Sequence, residues 1–92
     1  MDEDTRERLR EALMDTFRAW GGQWNVSPLA PGTGAAPPDC WLVRVHSHPF
    51  TRGELPSDLV EDYLRDPTHP ETASRWEEEL RPIFERAREQ AP

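Results

Sequence analysis

Two of the three histidines, His46 and His48, lie two residues apart at the end of the most β-like run of the chain. Side chains at i and i+2 of an extended segment project from the same side, so these two imidazoles could reach one metal ion. Zinc suits such a pair when a third ligand joins it. The residues nearby that could supply the third ligand are Cys40, His69, Asp58 and Glu54.

The residues around this pair also carry a family resemblance. The run His46-Ser47-His48-Pro49, followed by Pro56-Ser57, resembles the metal-binding signature of the JAMM (MPN+) metalloprotease family. The resemblance covers about a dozen residues and implies a zinc hydrolase with one open coordination position. The chain departs from the family pattern at the ligand aspartate, whose position is Val60. The family's glutamate comes from an earlier strand, whereas the early glutamates here lie in a predicted helix.

A simpler interpretation needs no metal. His46 is then a surface residue at a strand end, His48 a turn residue before Pro49, and His69 part of a helix cap. No second spaced pair of ligands accompanies them. Cys40, the single cysteine, cannot form an internal disulfide, and beside Trp41 it has the pattern of a small buried apolar residue.

Charge points toward a protein partner. Eighteen carboxylates against eleven arginines give a net charge of -7, which disfavours direct binding to nucleic acid or to an anionic membrane. A partner with a basic surface is favoured instead. The chain has no lysine, which excludes Schiff-base catalysis by lysine and a Walker-type phosphate loop. In one region of the sequence the carboxylates have few arginines near them. The candidate protein-binding residues of this region are Glu54, Asp58, Glu61 and Asp62.

The four tryptophans divide into two pairs. Trp20 and Trp76 fall on apolar helix stripes and are predicted to be core residues. Trp24 and Trp41 flank a long proline- and glycine-rich loop, residues 27–39, and are candidates for an interface. The loop is predicted to be flexible because it contains many prolines and glycines, which interrupt helices and strands.

These features favour a small, acidic, non-enzymatic accessory or regulatory protein that acts by binding another protein, as an immunity protein or antitoxin-like inhibitor does. A metal-binding protein or JAMM-like metallohydrolase using His46 and His48 is one alternative. A protein that mimics DNA phosphates is another. No cofactor is expected under the first interpretation, and a homo-oligomer stays open.

Length and hydropathy limit the class of protein to which the chain can belong. Ninety-two residues make one small domain, 1–92, and a mean hydropathy of -0.89 with ten prolines leaves little material for a core. No run of about 18 apolar residues and no leader-like segment is present, so we expect a soluble cytoplasmic protein. The arginine bias is typical of a bacterial genome rich in G and C.

Apolar periodicity predicts an α+β domain that is mainly helical. An N-terminal helix runs from Thr5 to Trp20, and a short extended piece, residues 23–26, pairs antiparallel with the central run, residues 40–50. Residues 51–54 are predicted to form a turn. A short helix capped by Ser57 follows, and then a long one from about residue 71 to 89, kinked at Pro82.

Overall fold

The computed structural model describes residues 2–22, 24–46 and 51–90. Its helices are α1 (Asp2–Ala19), α2 (Ser57–Arg65) and α3 (Pro70–Gln90), and its strands are β1 (Val26–Leu29), β2 (Cys40–Val45) and β3 (Thr51–Pro56). The strands form one antiparallel sheet in the order β1-β2-β3. The described chain is therefore α+β and mainly helical, as predicted, but it has three strands where the sequence predicted two.

The core lies between the helices and one face of this sheet. Trp41, Val43 and Val45 alternate along β2 onto that inner face, as the strand period requires, and all three are buried. The stripes predicted on the long helices are buried as well, except that Trp20, predicted to be a core residue, is only half-buried. They consist of Leu9, Leu13 and Phe17 of α1 and Trp76, Leu80, Ile83, Phe84 and Ala87 of α3.

Strand β3 corrects the predicted turn at residues 51–54. Thr51 and Leu55 are buried on the inner face, and Gly53 lies between them opposite Val43. Gly53 is needed because a β-carbon there would overlap the end of the Ile83 side chain. The alternation Thr51, Gly53, Leu55 was the available signal. This alternation is a weak strand signal, because glycine has a low strand propensity and no side chain to bury.

Strand β1 corrects the predicted start of the loop. It begins at Val26 and includes Ser27, Pro28 and Leu29. These three residues were predicted to be irregular because prolines and glycines are frequent in this part of the sequence. Proline is tolerated because β1 is an edge strand, where an amide facing away from the sheet has no ladder partner. Beyond it, turns organise the connection, including a bond from the Gly32 amide to the carbonyl of Pro37.

The helix starts also differ from the prediction. Ser57 is the first residue of α2 and not its cap; Pro56 precedes it, no side chain caps the end, and the Ser57 amide donates to the carbonyl of Asp39 at 3.0 Å. Helix α3 starts at Pro70, a favoured first position because proline lacks an amide hydrogen. Just before this helix, the Thr68 hydroxyl donates to the carboxylate of Asp66.

Helix α3 continues across Pro82, so the proline does not end it. The kink predicted at that residue stays a prediction. Within the described ranges, every helix is either too short or too polar to span a lipid bilayer.

Candidate functional site

The two tryptophans predicted for an interface lie in different environments. Trp41 is only 5% exposed and belongs to the core on the inner face of the sheet. Trp24 is half-buried, and its indole packs against Gly22 so closely that a β-carbon at position 22 would overlap it. Of the two, only Trp24 offers surface to a partner.

The four predicted acidic residues do not form one patch. Asp58, Glu61 and Asp62 lie on α2, whereas Glu54 lies on β3 and lines a separate cavity with Arg52 and Arg86. Asp58 pairs with Arg75 of α3 at 3.5 Å, and Asp62 pairs with Arg65 at 3.5 Å. The α2 surface is therefore partly neutralised by an arginine that lies 17 positions away in the sequence. Exposed pairs of this kind contribute little to stability.

The histidine pair is only half described. His46 is exposed, and its Nε2 lies 2.7 Å from the Ser27 hydroxyl, while His48 lies outside the described residues. Cys40 stands at the opposite end of β2, roughly 20 Å away at the rise of a strand, and cannot share an ion with His46. Among residues 2–22, 24–46 and 51–90 no three potential ligands converge. The metal site stays a prediction, which the zinc content of protein purified without a histidine tag tests.

Cys40 itself is poorly suited to be a nucleophile. Burial raises the pKa of its thiol, and the negative charges of Asp39 and Glu54 raise it further. Because the thiolate is the reactive form, these surroundings hold the sulfur in its unreactive protonated state.

A groove between the three helices is a further concave site, and sequence reasoning missed it. Its volume is about 520 Å³. We call it the helix groove; its lining residues are Ala12, Asp15, Thr16, Ala19 and Trp20 of the α1 region, Tyr63, Leu64 and Pro67 of the α2 region, and Ala73, Trp76 and Glu77 of α3. The alanines leave space that larger side chains would fill.

Aromatic side chains form the floor of the helix groove. The rings of Tyr63 and Trp76 stack in parallel, with centroids 3.8 Å apart and an angle of 4° between them. The Trp76 indole donates to the Thr16 hydroxyl at 3.0 Å, and that hydroxyl donates to the carbonyl of Ala12 at 2.8 Å. The floor is thus held by packing and by two satisfied hydrogen bonds.

A cation of the chain itself lies against two residues that line the helix groove. The guanidinium carbon of Arg81 lies 4.5 Å from the centre of the Trp20 ring, and Phe84 meets the same ring edge-on at 5.5 Å. Glu77 accepts from Arg81 at 3.3 Å. An aromatic face beside a carboxylate is an environment that favours a guanidinium.

Comparisons of the chain with protein-family models, curated proteins and solved structures found no match in any of the three.

Proposed function

We propose that the protein is a non-enzymatic accessory or regulatory module that binds a basic and partly apolar segment of another protein in the helix groove. The observation that carries this proposal is the groove's aromatic floor, which three helices assemble and which Trp20 and Tyr63 leave partly exposed. Aromatic side chains in a pocket are the usual energetic centre of a protein interface.

The shape of the helix groove suits a short segment better than a folded surface. Ala12, Ala19 and Ala73 set back its walls, so a few side chains of a partner can enter between the helices. Leu64 and Tyr63 are half-buried, and covering their remaining apolar surface would stabilise the complex. A helix or an extended strand laid along the groove would make these contacts.

Charge supports a basic segment. Asp15 and Glu77 stand on the α1 and α3 sides of the helix groove, but each already pairs with an arginine of its own helix. The attraction for a basic segment therefore comes mainly from the net charge of -7 on the whole chain. The stacking of Arg81 on Trp20 is an internal example of the contact expected from a partner arginine. Glu61 on α2 is exposed and forms no ion pair with another described residue, so it adds attraction at longer range.

Two adjacent substitutions on α3 test the proposal. Ala73→Gln puts a long side chain into the helix groove, and Ser74→Gln puts the same side chain on a neighbouring exposed position that does not line it. We expect affinity capture with the unaltered chain and with Ser74→Gln to recover the same partner, and capture with Ala73→Gln to lose it. Thermal unfolding of both variants shows whether the fold is intact.

Equal capture by both variants would contradict the groove as the binding site. A well-folded chain that captures no partner would contradict the proposal as a whole. The identity of the captured partner distinguishes between two remaining candidate functions, DNA mimicry and inhibition. A DNA-binding protein that DNA displaces in a salt-sensitive way would indicate DNA mimicry, and a toxin or enzyme would indicate an inhibitor.

A further inference from the structure

The outer face of the sheet, opposite the helices, carries an unusual pair of charges. Arg44 of β2 and Arg52 of β3 are direct cross-strand partners, so both side chains leave the same face about 5 Å apart at their β-carbons. Like charges in this position destabilise a sheet. The chain is acidic overall, so a surplus of basic residues does not account for the pairing.

Arg44 and Arg52, together with Arg86 of α3, also differ from most other arginines of the chain in the groups they bond to. Six arginines form ion pairs with carboxylates, namely Arg6, Arg10, Arg18, Arg65, Arg75 and Arg81. Arg44, Arg52 and Arg86 form none with any described carboxylate. Arg44 donates through Nε to the carbonyl of Ser27 at 3.2 Å, and Arg86 donates to the carbonyl of Arg52 at 2.8 Å. Bonds to carbonyls hold these two guanidinium groups in place without neutralising them.

Arg52 and Arg86 line a cavity of about 390 Å³ at the edge of β3. Small-molecule sites commonly occupy roughly 300–1,000 Å³. The other lining residues are Ala35, Leu42, Gly53 and Glu54. Leu42 and Ala35 supply an apolar wall, so the cavity combines a positive end with a surface for hydrocarbon.

We propose that this cavity binds a small monocarboxylic acid with an apolar body. Its carboxylate would accept from the Arg52 and Arg86 guanidinium groups, which match the geometry of a carboxylate, and its hydrocarbon would lie on Leu42 and Ala35. Glu54 repels a doubly charged phosphate more strongly than a singly charged carboxylate, which favours the latter.

Titration of the isotope-labelled full chain tests the proposal, with amide shifts of Leu42 and Gly53 as the readout. The probes are hexanoate, its neutral analogue hexanamide, and inorganic phosphate, all at constant ionic strength. We expect saturable shifts with hexanoate and weaker binding of the other two. Arg52→Gln should weaken hexanoate binding about tenfold, because it removes hydrogen bonds to a charged group.

Arg88→Gln is the matched control, since Arg88 is exposed, lies outside the cavity and has no ion pair with a described residue. It should leave the affinity for hexanoate unchanged. Equal losses of hexanoate affinity in Arg52→Gln and Arg88→Gln would show that only the overall charge of the chain matters. That result would overturn the proposal. Equal binding of hexanoate and hexanamide by the unaltered chain, or tighter binding of phosphate, would also overturn it, and neither result depends on a variant that must fold.

Discussion

Thr16 is the residue on which the floor of the helix groove depends most. Its hydroxyl accepts from the Trp76 indole and donates to the carbonyl of Ala12. Trp76 could be assigned to the core from its helix stripe, but its partner could not be read from the sequence. The two residues are 60 positions apart, and only the packing of α1 on α3 brings them together.

Thr16→Val should lower the free energy of unfolding by about 1 kcal/mol, because it leaves the Trp76 indole without its acceptor in a partly buried site. Thr16→Ser is the matched control, since it keeps the hydroxyl and loses one methyl group. Urea unfolding followed by tryptophan fluorescence measures both. If valine and serine reduced stability equally, the hydrogen bond would not hold the floor.

Cys40 gives a prediction for pH. Burial and then the nearby carboxylates, Asp39 first and Glu54 second, raise the pKa of its thiol, so alkylation of the native chain should begin at higher pH than alkylation of the urea-unfolded chain. The native state resists ionisation more than the unfolded state does. This contribution to stability is therefore fully present below the ordinary thiol pKa and is lost as pH rises through the raised one.

Glu54→Gln should move the alkylation profile of Cys40 back toward lower pH, because it removes one of the negative charges. Glu61→Gln removes a carboxylate that does not affect the thiol and should leave the profile in place. Identical profiles for the two variants would show that the charge of Glu54 is not felt at the sulfur.

At the scale of elements, the helices were easier to predict than the strands. The stripe Leu9, Leu13, Phe17 repeats over a long segment, and burial in the structure follows it closely. Strand β3 offered only Thr51 and Leu55 around a glycine, a pattern too short to read as a strand. Its inner face is completed by Ile83 of α3, and that complementarity becomes visible only once both elements are placed.

Gly53→Ala should therefore lower the free energy of unfolding by about 1–3 kcal/mol, the usual cost of forcing extra volume into a packed site. In a chain that already carries Ile83→Ala, the same change should cost almost nothing, because the overlapping atoms are gone. A double-mutant cycle by urea unfolding measures the coupling. Additive effects would mean that Gly53 is required for another reason.

For the whole molecule, the predicted α+β, mainly helical class is confirmed for the described residues, but the location of the candidate site was not predictable. The sequence indicated acidic residues of α2 and tryptophans beside the loop. The structure pairs two of those carboxylates with arginines and buries Trp41. The helix groove is built from residues spread between Ala12 and Glu77, each of which looks ordinary on its own helix. Its existence follows from how three helices pack, which periodicity alone does not specify.

The most direct test of the central claim is an amide and indole shift map of the isotope-labelled chain bound to the segment of its captured partner. We predict the largest shifts at the indole Nε1–H groups of Trp20 and Trp76 and at the Ala73 amide, all in the helix groove. Shifts confined to the outer face of the sheet, around Arg44 and Arg52, would contradict it.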